Sequence, residues 1–225
     1  MENKMDQIVQ ALKNKACVKQ RIYRNTLSIF GNMKEIASMI AEGLAGVFEE
    51  VDENVVIEYK EINDFEFHLK FSGDLLIFTM HSNVLKMPEA HLVHKSPYVE
   101  ENPMRGYFCE IMVYNFMADS LKYNRLNDPG FLLARMMINV DGHFLVEGVR
   151  QLSFLFPDIA ENEINGAVLG SFIQNAILLA IGQDLVAPTF QQIQVVPLGK
   201  KIANQMVHGG NKVGFQMNSQ REQTA

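Results

Sequence analysis

From Met5 to Val47, apolar side chains recur at alternating steps of three and four residues. They fall at Met5, Val9, Leu12, Ala16, Tyr23, Leu27, Phe30, Met33, Ala37, Ile40, Leu44 and Val47. Steps of that kind line up as one stripe along one side of a helix. Lys19 fills one position where the rhythm asks for an apolar residue. Gly31-Asn32 predicts a break, giving one helix near 3–30 and another near 33–50. Gly43 and Gly46, near the end, would let another element approach closely.

Beyond residue 50 the period changes. Asn54 to Lys60 is rich in β-branched residues, and in Phe65 to Phe71 apolar and polar side chains alternate strictly. A period of two is the signature of a half-buried strand. Ser72-Gly73-Asp74 supplies a turn, and Leu75 to Met80 returns as the second arm of a hairpin. A long connection, 82–105, holds Pro88, Pro97 and Pro103 and predicts a short helix from Pro88 to Lys95.

Strands resume with Tyr107 to Phe116. Phe131 to Val140 and His143 to Val149 form another hairpin about Asp141-Gly142, with Gln151 to Phe156 as its extension. Asp158 and Glu161 stand in capping-box spacing before a helix that ends at Ile181, ahead of Gly182. Gly166 and Gly170 would let that helix lie close against the sheet. Thr189 to Val196 reads as a last strand between Pro188 and Pro197, and a short helix covers 199–207. In the tail, Val213, Phe215 and Met217 keep strand periodicity, so 212–218 is expected to add to a sheet edge.

Strands grouped by hairpins, without regular βα alternation, indicate an α+β fold. The expected architecture is an N-terminal helical segment on or beside a mostly antiparallel sheet of about six or seven strands, with a C-terminal buried helix. Three regions follow: a helical packing or oligomerisation segment (1–50), an α+β body (51–206) and a Gly-rich tail (207–225).

Composition narrows the class. Hydrophobic residues make up 48% of the 225 positions and charged residues 20%, an ordinary balance for a folded soluble chain. Cys17 and Cys109 form no CxxC pair, and residues 1–20 carry four lysines without an apolar core. The expected location is therefore the reducing cytoplasm. Ile164 to Ile181 approaches the length of a spanning helix, but Asn165, Gln174 and Asn175 interrupt it, and a buried helix is expected there. Residues 1–34 carry seven Lys/Arg against Glu2 and Asp6, a net of +5, so the remainder of the formal −6 is −11. That acidic remainder disfavours nucleic acid as a partner.

One segment concentrates ligand-type side chains. His81, Glu89, His91 and His94 lie within residues 81–101, and two imidazoles plus a carboxylate can hold a divalent ion. The spacing is not that of HExxH, and Lys95 adds a positive charge beside the pair. Asp141-Gly142-His143 has the composition of an acid/base pair and equally of a hairpin turn. Cys109 lies in an apolar strand without a cationic neighbour, which disfavours a thiolate nucleophile. No GxxxxGK[ST], GxGxxG, GxSxG or HExxH occurs.

Two functional expectations follow. One is a non-catalytic protein-interaction or ligand-binding module that needs no cofactor. It would form a homo-oligomer through Met5, Val9, Leu12, Ala16, Tyr23, Leu27 and Phe30, with a protein partner as a further option. The other is a metal-dependent enzyme centred on His81, Glu89, His91 and His94.

Overall fold

A computed structural model describes residues 3–187, 189–199 and 216–217. Helix α1 (Lys4–Ala11) runs through one π turn, Leu12–Ala16, into α2 (Cys17–Val51). The expected break at Gly31-Asn32 is absent, and α2 continues through it for 35 residues. A helical glycine costs only about 1 kcal/mol, and here Phe30, Met33 and Ala37 are buried on either side of it. At about 1.5 Å per residue, the helical path from Lys4 to Val51 is about 70 Å long.

Next come β1 (Ile57–Asn63), β2 (Glu66–Phe71), β3 (Asp74–Met80) and β4 (Leu85–Lys86). After short turns and α3 (Pro97–Glu101) come β5 (Tyr107–Met117), α4 (Ala118–Lys122), β6 (Phe131–Ile138) and β7 (Phe144–Gly148). The strands form one seven-stranded antiparallel sheet in the order β1-β2-β3-β5-β6-β7, with β4 pairing β5 beyond the end of β3. Because strands next to each other in the sheet mostly follow each other in the chain, short turns suffice. The edge strand β1 carries Glu58, Lys60 and Glu61, charges that discourage further strand pairing.

One sheet face holds the main core. Phe67, Leu69, Leu76, Phe78, Ile111, Val113, Met136 and Phe144 alternate toward it and are covered by Ile22, Phe30, Met33 and Ala37 of α2. Phe67 stacks on Phe78 with ring centres 4.5 Å apart, and Phe30 lies 5.3 Å from Phe67. Lys34 is almost fully buried, and its Nζ donates to Glu61 Oε1 at 2.7 Å and to the Asn63 carbonyl at 2.8 Å. That clamp joins α2 to the β1–β2 turn.

Helix α5 (Gly166–Ile181) completes the cover with Leu169, Phe172, Ile173 and Ala176 buried. It begins at Gly166, capped by Asn165, and not near Asp158. Residues 162–164 are held instead by the β6–β7 turn: the amide of Phe144 donates to the Asn162 carbonyl, and that of Ile164 to the Gly142 carbonyl. Gly166 and Gly170 face Ile36 of α2 and not the sheet.

The expected extension at 151–156 is a 3-10 turn, Arg150–Ser153. Leu185–Val186 (β8) is followed by α6 (Phe190–Ile193), where a strand was expected. Thr189 and Gln192 form a capping box there, and this local arrangement favours the helical turn. Gln216–Met217 (β9) pairs with β8 within the chain. The rest of the 199–207 and 212–218 expectations lies outside the described residues, apart from Gly199.

Gly148 closes the β6–β7 hairpin against Leu152. A Cβ there would sit 2.7 Å from the Leu152 Cβ, 3.1 Å from the Ala134 Cβ and 3.2 Å from the Leu133 carbonyl oxygen. Gly148→Ala is therefore expected to lower stability by about 1–3 kcal/mol in urea unfolding, as overpacking does. An unchanged midpoint would show that this corner yields freely.

Asp74 supplies a second check. Burial raises its carboxyl above the ordinary value, opposed by the hydrogen bond from Asn115 Nδ2 at 3.3 Å. Asn115 is fully buried and its Oδ1 has no partner among the described residues. A raised folded-state value means that the native state binds the proton more tightly than the unfolded chain does. The ionised form therefore weakens the fold as pH rises through that value. Asp74→Asn removes the charge and provides a donor for Asn115 Oδ1. Its stabilisation in urea should be larger at pH 7 than at pH 4, and a gain independent of pH would refute this account.

Candidate functional site

The sequence stripe divides in two. Phe30 has no exposed surface, and Tyr23 and Leu27 pack against the main core. Phe30 thus leaves the expected interface set, because its ring is used inside the chain against Phe67. Met5, Val9, Leu12 and Ala16 stay exposed, and neither α1 nor the π turn has a buried residue. Met5 is 60% exposed, Leu12 is 55% exposed, and Ile8 joins the same strip. The helix first meets the body at Lys15 and Lys19. Their ammonium groups lie 5.9 and 5.2 Å from the Tyr107 ring centre, and Lys19 Nζ donates to the Val84 carbonyl. Residues 3–14 form a bare arm.

The histidine loop covers part of the second sheet face. Val93 and Val99 pack on Phe108 and Met137 in a small second core, with Met87 and Ile159. Its histidines support that loop in separate places. His81 Nδ1 accepts from the Asn83 amide at 3.1 Å. His91 Nδ1 accepts from the Val93 amide as the cap of the 3-10 turn Leu92–Lys95, and its Nε2 lies 3.1 Å from Glu147 Oε1. His94 Nε2 lies 3.0 Å from the Met87 carbonyl, and Glu89 is exposed, 3.7 Å from Lys86 Nζ. The expected helix from Pro88 is reduced to that 3-10 turn. Among the described residues no group of three His, Cys, Asp or Glu is placed to hold a metal ion.

Glu147 also links the loop to the sheet. Its Oε2 accepts from Arg135 Nε at 2.7 Å and lies 2.6 Å from Arg135 Nη2, while Arg135 Nη1 reaches the buried Glu110 at 3.5 Å. A cavity of about 160 Å³, lined by Met87, Phe108, Glu110, Arg135 and Met137 among others, sits against this row. Arg135 and Glu147 are equidistant from Asp141 in sequence, so the hairpin register contains the signal for their pairing. The sequence reading singled out neither.

At the β6–β7 turn, Gly142 takes a φ of +83°, which suits a residue without a Cβ. Asn139 is fully buried and organises the turn. Its Oδ1 accepts from the amides of Asp141 and His143, and its Nδ2 donates to the Tyr98 hydroxyl at 3.2 Å. Asp141 accepts from Arg105 Nε at 2.8 Å and from the Tyr98 hydroxyl at 3.3 Å, with Arg21 of α2 at 3.9 Å. His143 turns elsewhere: Nδ1 lies 2.9 Å from the Ile159 carbonyl and Nε2 3.6 Å from Glu163. Its ring stacks on Tyr98, which also carries the Arg105 guanidinium on its face. Asp141 and His143 therefore serve different partners and do not work as an acid/base pair. Burial, followed by smaller opposing effects of its neighbours, raises the Tyr98 hydroxyl above its ordinary value and keeps it protonated. The cluster locks loop 97–106 to the hairpin.

Cys109 is buried, and its thiol donates to the His81 carbonyl at 3.1 Å. Burial pushes the thiol up to about 11, so it is not a nucleophile at neutral pH. No protein-family model, curated protein or solved structure matches the chain. No described helix is long and apolar enough to cross a membrane.

Cys17 is exposed and Cys109 is not, which separates their reactivity. A thiol reagent at pH 8 should titrate one group rapidly in the native protein and the second only in denaturant. Rapid modification of both in the native state would contradict the burial of Cys109.

Proposed function

We propose that the chain is a non-catalytic module that self-associates through its N-terminal helical arm. The bare strip Met5, Ile8, Val9 and Leu12 is the observation that carries this reading. Each large apolar side chain left in water forgoes about 1.5–3 kcal/mol of burial. Met5, Ile8 and Leu12 are each more than half exposed, whereas Ile22, Phe30, Met33, Ala37 and Ala41 of α2 are taken up by the chain's own core. His81, His91, His94 and Asp141 are engaged in holding loops in place, which favours a binding role over a catalytic one. A strip of this kind on a preformed helix is suited to helix-on-helix contact.

Light scattering at 50 µM tests the reading. The intact chain should give a mass above 25.5 kDa, and deletion of residues 1–14 should return it to the monomer value. A monomer mass for the intact chain refutes the reading, and an oligomer that survives the deletion removes the arm from the interface.

A further inference from the structure

The π turn fixes the direction in which the arm's apolar strip faces. In an unbroken α-helix, at about 100° per residue, Met5, Val9 and Leu12 would lie on the side of Phe30 and Met33, toward the body. One π turn takes up an extra residue and rotates what lies beyond it by about 100°. The strip then shares a side with Glu35, Met39, Glu42 and Glu49. All four are exposed, and Met39 is 71% exposed, on the side of α2 away from the core. The strip and the outer side of α2 thus form one long face, unpartnered among the described residues.

Charge divides that face along its length. At exposed positions clear of the body, residues 3–34 carry Lys4, Lys13, Arg21 and Arg24 against Asp6, while Lys15 and Lys19 lie against Tyr107 and Lys34 is buried on Glu61. Residues 35–53 carry Glu35, Glu42, Glu49, Glu50, Asp52 and Glu53 with no Lys or Arg. Among the described residues nothing lies within 4 Å of where a Cβ on Gly43 or Gly46 would project, so none of them covers the acidic half there.

We propose that the occupant of this face is a second copy of the chain, laid antiparallel so that each basic arm rests on the partner's acidic stretch 39–53. This rests on the self-association reading and adds its geometry. Parallel pairing would set Lys4, Lys13 and Lys15 of one arm beside the same lysines of the other, which opposes contact. Antiparallel pairing puts unlike charges together at both ends and brings the apolar strip to Met39 and the open backbone at Gly43 and Gly46. The arrangement is isologous, each copy giving one arm and receiving one, so it closes as a dimer.

A charge swap tests it, read by light scattering and sedimentation over a concentration series in low salt. Lys4→Glu/Lys13→Glu should weaken the dimer by about tenfold or more, and Glu42→Lys/Glu50→Lys should do the same. The chain carrying all four changes should regain the wild-type dissociation constant. In a Cys17→Ser background, Val9→Cys combined with Gly46→Cys should give an intermolecular disulfide between positions 9 and 46, mapped by peptide mass. A wild-type dimer with no rescue in the fourfold variant, or with bonds joining position 9 to position 9, overturns the antiparallel arrangement and leaves self-association standing. A monomeric wild type overturns both. Binding of such a monomer to vesicles of anionic lipid would assign the arm to a membrane surface.

Discussion

A seven-stranded antiparallel sheet has two faces, and the helices of this chain cover one of them. Uncovered, that face would leave Phe67, Phe78, Ile111, Val113 and Met136 in water, and such a loss rivals the whole stability of a domain. The middle of α2 meets the requirement, with Ile22, Phe30, Met33 and Ala37 spaced to fall on one side. Helix α5 fills the remaining width, and two glycines allow it to run beside Ile36. Lys34 fixes the angle, because its buried ammonium needs both Glu61 and the Asn63 carbonyl. The rest of the layout follows from where that contact begins and ends along α2.

The second sheet face is covered differently. Among the described residues it is covered at its β5–β7 end by segment 81–106, which includes the short helix α3, with Val93, Val99 and Phe108 forming a small core. Loops carry many unpaired backbone groups, and a buried loop must satisfy them with side chains. That need accounts for the local abundance of His and Asn. His81 and His91 accept from backbone amides, His94 meets a carbonyl, and Asn102 caps the turn at Pro103. A composition that resembles a metal site is here a set of loop fasteners.

Much of the fold was legible because its elements obey simple periods. The strict alternation of Phe65 to Phe71 and the Asp141-Gly142 turn placed two hairpins within a residue or two of their observed positions. Errors arose where a tertiary contact outweighed a local signal. Gly31 did not stop α2, because flanking residues were buried. Asp158 did not start α5, because the Asn162 and Ile164 backbones were already paired with the hairpin. Residues 189–196 read as a strand between Pro188 and Pro197, but a capping box turned Phe190–Ile193 into a helical turn. At the site level, sequence spacing grouped His91 with His94, whereas the structure sends one to Glu147 and the other to a backbone carbonyl. Long-range partners of this kind leave no trace in local spacing. Arg135 and Glu147 are an exception, since the hairpin register alone pairs them.

The arm shows how one local irregularity can redirect a whole surface. The three-four rhythm from Met5 to Val47 is continuous in sequence, so an ideal helix would aim every apolar residue the same way. Among the described residues, however, the contact with the body begins near Tyr107, and an arm beyond it has no described surface to face. An isolated helix of about a dozen residues is marginal in water, because nucleation is costly. Here α2 is already held by the core and acts as the nucleus, so the arm is helical before anything touches it. Association of the kind proposed would then order little new backbone, and more of the apolar burial and charge pairing would appear as affinity. A bare strip on a preformed helix, turned by one extra residue to the side away from its own body, is the feature on which the proposed contact with a second copy rests.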